Sequence, residues 1–133
     1  MEIDLSKIPL GQVDSLYDLD RMKAGYIMRD INKLSYSCEI KYNYMIIPMG
    51  VYNILEHHPS FLSRKIKESD PDGLWNVGTI FGYECYLDMN MSPDQISVYY
   101  NKQIARDLKI DSILEGRIIP ETKVDITIIN LYT

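Results

Sequence analysis

The residues best suited to acid–base or metal chemistry are two adjacent histidines, His57 and His58. Neighbouring side chains on a helix point in different directions, which makes it hard for the two rings to bind one metal ion together. A short helix is predicted to end at His57, so we expect the pair to interact with the negative end of that helix's dipole. The sequence therefore assigns neither histidine as a catalytic residue or a metal ligand.

Carboxylates and cysteines are the other reactive side chains. Asp18, Asp20 and Asp30 fall in one predicted helix and could share a face loosely, but such a face is normally solvated and we interpret it so. Cys38 and Cys85 match no metal-binding or redox spacing, which predicts two small, reduced core residues. The prediction is no catalytic site, no cofactor site and no metal site.

Motifs that mark common enzyme sites are also missing from the sequence. It contains no glycine-rich phosphate loop, no nucleophile elbow and no zinc-ligand spacing. We therefore expect a protein that is not an enzyme. A small enzyme built from scattered Asp, Glu and Tyr residues stays open as an alternative that nothing in the sequence selects.

Length and charge restrict the class of protein further. A chain of 133 residues predicts one domain with one hydrophobic core. Its net charge of −5 disfavours nucleic acid as a specific ligand, because such binding relies on neutralising phosphates. The N-terminus is acidic where a secretory signal would be basic, and no apolar run approaches the roughly 20 residues that span a bilayer. We expect a soluble, intracellular protein that does not enter a membrane.

Tyrosine is over-represented among the aromatic residues: eleven stand against two phenylalanines and one tryptophan. A tyrosine ring combines apolar area with a polar tip, so it suits half-buried surfaces and protein–protein contacts. Two interpretations stay open. The tyrosines belong either to a contact surface or to a sheet whose exposed face simply tolerates them.

The N-terminal half has a clear pattern of helix and strand. Residues 1–11 predict an extended arm or a short edge strand that ends in a turn. From Asp14 to Leu34 apolar residues recur at steps of three and four, which predicts an amphipathic helix. Tyr42–Ile47 predicts a mostly buried strand, and Met49–His57 predicts a short helix after Pro48.

The C-terminal half is predicted to supply most of a sheet. Residues 60–76 are predicted as a long polar loop, followed by two strands that flank the turn Phe81-Gly82. The predicted segments are Val77–Ile80, Tyr83–Leu87, Gln95–Tyr100 and Val124–Leu131 as strands, with Ile104–Leu114 as a short helix or bent strand. The predicted fold is therefore α+β, a central antiparallel or mixed sheet with one long N-terminal helix and a short helix packed on it, in a single domain over residues 1–133.

Two segments resemble the major capsid proteins of tailed bacteriophages. Asn43–Pro48, followed by Val51–Leu55, is similar to the family's strand that turns at a Ser or Pro corner into a helix carrying Val and Leu. Val77–Asp88 is similar to the family's hairpin of Val-Gly-Thr, Gly and a Val-Tyr-Val-Asp strand. The resemblance covers roughly residues 20–100 and is limited to the axial lobe. The chain has no room for the extended loop and long spine helix of a whole capsid subunit.

This resemblance implies a function that depends on contacts. It implies a phage virion structural protein, either capsid or capsid-associated, that assembles in the host cytoplasm with other virion proteins or with copies of itself. The predicted contact surfaces are the tyrosine-rich strands, the 60–76 loop and the N-terminal arm. The alternative is a small phage-encoded regulatory or interaction protein that does not enter the particle.

Overall fold

The computed structural model describes residues 1–9, 11, 13–36, 42–65, 73–99 and 123–131. These residues form one sheet of seven strands and two α-helices, which confirms the predicted α+β class and the long N-terminal helix. The elements are β1 (Glu2–Asp4), α1 (Leu16–Tyr36), β2 (Tyr44–Ile47), α2 (Met49–Leu55), β3 (Phe61–Ser63), β4 (Trp75–Ile80), β5 (Tyr83–Leu87), β6 (Gln95–Tyr99) and β7 (Lys123–Ile129).

The sheet is mixed, and β2 lies at its centre in the order β1-β7-β6-β2-β5-β4-β3. β2 runs parallel to β5 on one side and antiparallel to β6 on the other. A parallel neighbour cannot be reached by a tight turn and needs a longer connection. The chain makes this connection through α2, β3 and β4, and it adds β3 and β4 to the sheet beyond β5.

Helix α1 begins where the sequence supplies a capping side chain. The Ser15 hydroxyl accepts a hydrogen bond from the Asp18 N–H at 3.2 Å, which satisfies one of the free amides of the first turn. Every third or fourth residue of the helix is then buried, as the 3.6-residue repeat requires: Ala24, Ile27, Met28 and Ile31. This stripe packs beside α2 and belongs to the same core as the sheet.

One face of the sheet supplies the rest of that core. Side chains alternate between the two faces along a strand, and those on the helix side are almost completely buried. They are Met45, Ile47, Tyr83, Cys85, Leu87, Ile96, Val98, Ile126 and Ile128, none more than 4% exposed. Burying each large apolar side chain contributes roughly 1.5–3 kcal/mol, so this face accounts for much of the driving force for folding.

The hairpin β4–β5 contains two local departures from regular strand geometry. Its turn, Phe81-Gly82, has φ angles of 50° and 84°, and this left-handed pair is the conformation favoured in tight two-residue hairpins. Within β4 the register shifts between Asn76 and Gly78, so Val77 and Gly78 are both buried at a bulge. Gly78 has a φ of 147°, and a Cβ there would overlap the carbonyl oxygen of Leu62 in β3. Only glycine fits this position.

The prediction of a long loop over residues 60–76 is wrong at both ends. Residues 61–63 form β3, and β4 begins at Trp75. A strand of three residues, Phe-Leu-Ser, is too short to show a period in the sequence. Phe61 pairs with Ile80 and is only 8% exposed, so tertiary burial, which the sequence pattern does not report, selects the strand.

The N-terminal arm is part of the domain. Residues 2–4 form the edge strand β1, which runs parallel to β7, as one of the two alternatives for this segment predicted. Ile3, Leu5 and Ile8 are 1%, 4% and 5% exposed and belong to the core. The arm is therefore anchored by burial as well as by backbone hydrogen bonds.

The remaining predicted elements are either confirmed or fall outside the described residues. The predicted strands 42–47, 77–80, 83–87, 95–100 and 124–131 and the helix 49–57 correspond to β2, β4, β5, β6, β7 and α2. The predicted helix or bent strand at 104–114 lies outside the described residues, as do residues 66–72 of the predicted loop.

Candidate functional site

The face of the sheet opposite the core carries tyrosines at its centre. Alternation along β2, β5 and β6 turns the residues between the buried positions to this side. Four of them, Tyr44, Ile46, Tyr86 and Tyr99, are half-buried neighbours on the three central strands. We call these four residues the tyrosine face.

Strand register brings the three rings of the tyrosine face together. Tyr44 lies directly opposite Tyr99 in the antiparallel pair of β2 and β6. The Tyr44 and Tyr86 ring centroids are 5.9 Å apart with their planes inclined by 42°. Lys123 on β7 places its ammonium group 5.9 Å from the centroid of Tyr99. This arrangement offers a rigid apolar surface with polar groups at its margin.

An ion pair borders the tyrosine face on the β3–β4 side. The Arg64 guanidinium donates to both Glu84 carboxylate oxygens, at 3.1 Å and 3.3 Å, in a bidentate fork. The Asn76 amide nitrogen donates to the same carboxylate at 3.1 Å. The Asn76 Oδ1 atom is buried and accepts no hydrogen bond within the described part of the chain.

A second polar group borders the face on the β7 side. The Ser97 hydroxyl donates to Asp125 Oδ1 at 2.7 Å, and the Lys123 ammonium lies 3.5 Å from the same oxygen. The Ser97 hydrogen bond, with a smaller contribution from the Lys123 charge, lowers the pKa of the Asp125 carboxyl. Asp125 is therefore ionised at neutral pH and paired with a cation.

Among the described residues, two ion pairs border the tyrosine face, and within each pair the charges cancel. Two cations, Arg64 and Lys123, are paired with two anions, Glu84 and Asp125. The whole chain, by contrast, carries a net charge of −5. Paired charges such as these add no net charge, so they do not add to the repulsion that an approaching acidic protein meets from the rest of the chain. The chemistry offered here is non-covalent contact: apolar rings, hydroxyl groups and two compensated ion pairs.

The two histidines have separate partners at the end of α2. His57 Nδ1 is 2.7 Å from the carbonyl oxygen of Asn53, the helix-end contact expected from the sequence, and 3.8 Å from Asp20 Oδ2. His58 Nδ1 accepts a hydrogen bond from the Ser60 N–H at 3.0 Å. Because each Nδ1 atom has a different backbone partner, the structure does not bring the two rings together around one point.

The three helix carboxylates are not gathered into a site. Asp20 lies beside His57, while Asp30 pairs with Arg29 at 3.2 Å and with Lys33 at 3.6 Å. Asp18 lies in the first turn of α1, where its negative charge interacts favourably with the positive end of the helix dipole. Among the described residues, no three His, Cys, Asp or Glu side chains form a group that could hold a metal ion.

Cys85 is a core residue, as predicted. Its thiol lies on the helix side of β5, and burial, with a smaller contribution from Glu84, raises its pKa to about 12. A thiol with this pKa stays protonated at neutral pH and is a poor nucleophile. Cys38 lies outside the described residues.

Neither known family models, nor curated proteins, nor solved structures match this chain. The resemblance to capsid proteins therefore stays a prediction. Within the described part of the chain, no helix is long and apolar enough to cross a membrane.

Sequence reasoning found only part of the tyrosine face. The excess of tyrosine indicated a contact surface or an exposed sheet face. However, β2 is a continuous apolar run, Tyr-Met-Ile-Ile, so its pattern could not separate the open side from the core side. The partnership of Arg64 with Glu84 joins residues 20 positions apart, one of them in a predicted loop, and no local pattern reports it.

Proposed function

We propose that this protein is a structural component of a phage particle and that its tyrosine face binds a neighbouring protein subunit of the same particle. The single observation that carries the proposal is this face: three tyrosines and an isoleucine on the central strands, bordered by ion pairs that cancel. The function so proposed consists of contacts, with no catalytic step.

The composition of the face supports a protein as the ligand. Tyrosine is enriched in protein interfaces because a rigid ring buries much apolar area while losing little conformational entropy. The paired charges at the margin resemble the polar rim that surrounds the apolar centre of most interfaces. A nucleic acid would require unpaired cations, whereas Arg64 and Lys123 are both paired with carboxylates.

The phage origin of the partner is supported by the resemblance in sequence. The segment Asn43–Pro48 provides the central strand β2, and Val77–Asp88 contains the last four residues of β4, the turn and all of β5. The order of helix, strand, helix and hairpin is the order expected for the axial lobe of a capsid subunit. The role of such a lobe is to pack against neighbouring subunits.

The proposal is tested by removing the rings and following the protein into particles. The variant Tyr44→Ser/Tyr99→Ser removes two tyrosines of the face without touching the core. Tyr17→Ser is the matched control, because Tyr17 is 53% exposed on α1, a different surface. We expect wild type and Tyr17→Ser to be present in purified particles by quantitative mass spectrometry, and the double variant to be strongly depleted while it remains folded by circular dichroism.

Two outcomes would overturn the proposal. If the wild-type protein is missing from particles and stays a monomer beside purified capsid components, the structural role fails and the regulatory alternative is favoured. If the double variant enters particles as well as the wild type does, the protein is a virion component that uses another surface.

A further inference from the structure

His58 lies at the centre of the short turn that joins α2 to the edge strand β3. Its ring nitrogen Nδ1 accepts a hydrogen bond from the Ser60 N–H at 3.0 Å, two residues further along the chain. Its backbone carbonyl accepts another from the Phe61 N–H at 3.0 Å, at the first residue of β3. One residue thus closes the turn with both its side chain and its backbone.

The same ring also contacts a second turn. The His58 and Phe81 ring centroids are 5.1 Å apart, with the planes inclined by 67° in an edge-to-face contact. Phe81 belongs to the β4–β5 turn and has a φ of 50°, a left-handed conformation that is uncommon for a bulky residue. The two turns are close because Phe61 of β3 pairs with Ile80 of β4. His58 therefore connects α2, β3 and the β4–β5 turn.

The hydrogen bond from Ser60 requires a neutral imidazole ring. An Nδ1 atom that accepts an N–H must offer a lone pair, so the single ring proton is on Nε2. Protonation would add a proton to Nδ1, so that the Nδ1–H group and the Ser60 N–H would both be donors facing each other. The bond would then be lost, and either the ring or the backbone of the turn would have to move.

One charged neighbour of His58, Arg21, also opposes its protonation, and the nearby carboxylates have other partners. From α1, Arg21 contributes a positive charge near the ring, while the Asp20 carboxylate lies 3.8 Å from the other histidine, His57. From the end of α2, the Glu56 carboxylate accepts the hydrogen bond of Tyr52. Burial of the ring, followed by the charge of Arg21, lowers the pKa of His58.

We propose that His58 is a pH-sensitive latch, which closes the α2–β3 turn while its ring is neutral and releases the turn when the ring is protonated. A histidine whose pKa is lowered by folding contributes its full stabilisation above its ordinary pKa of 6.5, and that stabilisation is lost as the pH falls below this value. Acidification is therefore expected to act on this turn.

The release is expected to be local. β3 has three residues and, among the described strands, one hydrogen-bonded neighbour, β4, whereas the central strands are held on both sides. Edge elements with few buried contacts open at lower free energy than the core of a sheet. The latch does not rest on the proposed particle role, because none of its residues belongs to the tyrosine face.

Nuclear magnetic resonance of the full chain tests the latch. Between about pH 7.5 and pH 5 we expect the Ser60 amide resonance and the His58 ring resonances to shift with one shared midpoint below 6.5. Over the same range the Ser60 and β3 amides should lose protection from hydrogen exchange, after correction for the intrinsic pH dependence. The amide of Val98 in the central sheet should keep its protection.

Two variants make the test specific. His58→Asn keeps an acceptor for the Ser60 N–H but cannot be protonated, so the pH-dependent shift of Ser60 should disappear. His57→Gln removes the neighbouring histidine and should leave that shift intact. The latch is wrong if the Ser60 amide shows no titration in the wild type, if His58→Asn retains it, or if Val98 loses protection together with Ser60. If His58→Asn fails to fold, the two measurements on the wild type, the titration of the Ser60 amide and the protection of the Val98 amide, still test the latch.

Discussion

The two faces of the sheet use the same strands for different purposes. On the helix side, positions such as Met45, Cys85 and Val98 are completely buried. One residue further along, Ile46, Tyr86 and Tyr99 lie on the opposite side and are only half-buried. The first set contributes to the free energy of folding, and the second contributes a surface.

This difference lets the same strands carry both a core and the binding surface that we propose. Because strand side chains alternate with a period of two, neighbouring residues in the sequence belong to different environments. A substitution on the tyrosine face should therefore change contacts with a partner far more than it changes stability.

The sharpest test replaces each of two adjacent residues of β2 with threonine. Met45→Thr leaves a cavity and a buried hydroxyl in the core and should lower the free energy of unfolding by about 3–5 kcal/mol. Ile46→Thr on the tyrosine face keeps a β-branched side chain and should cost less than about 1 kcal/mol. Urea denaturation followed by circular dichroism measures both. Equal losses would show that the open face is as much part of the core as the covered one.

The bulge in β4 is the place where the alternation fails, and Gly78 tests it. Gly78→Ala should destabilise the protein by about 2–4 kcal/mol, because the new Cβ would overlap the Leu62 carbonyl oxygen and the φ of 147° disfavours alanine. The matched control is Gly25→Ala in α1, where a Cβ meets no atom within 4 Å and should stabilise the helix by about 1 kcal/mol. Thermal melts of both variants should move in opposite directions. A neutral Gly78→Ala would mean that β3 can shift away from β4.

The Arg64–Glu84 pair should matter little for stability, since both side chains are partly exposed. A double-mutant cycle of Arg64→Met and Glu84→Gln, measured by urea denaturation, should give a coupling free energy of about 0.5–1 kcal/mol. The coupling should shrink in high salt. A coupling of several kcal/mol would contradict the view that the open face contributes mainly a surface.

The smallest expected effect is the acid response of Asp125, which can be followed by nuclear magnetic resonance. The hydrogen bond from Ser97 lowers its pKa, so the stabilisation is present above the ordinary value of 3.8 and is lost as the pH falls below it. In Ser97→Ala the Asp125 pKa should rise toward that value. Asp4 is the control, because its pKa is lowered by the Ser6 backbone and by Asn130 and should not change. An unchanged Asp125 pKa would show that the Ser97 bond is not formed in solution.

The sequence predicted the elements better than their arrangement. Helix α1 was predictable because its stripe of apolar residues is long and its cap is local. The strands at 83–87 and 95–99 were predictable from their apolar pattern and the turns beside them. Strand β3 was not, because three residues are too few to establish a period and their burial depends on β4.

By itself, the sequence determined the α+β class, the long helix, the central strands and the core position of Cys85. These features follow from local periodicity and capping, and both depend on residues that are close together in the sequence. Only the tertiary structure decided that Tyr44, Tyr86 and Tyr99 share one surface, that Arg64 and Glu84 form a pair, and that His58 connects two turns. The physical reason is that strand order and register bring together residues far apart in the chain, and no local pattern carries that information.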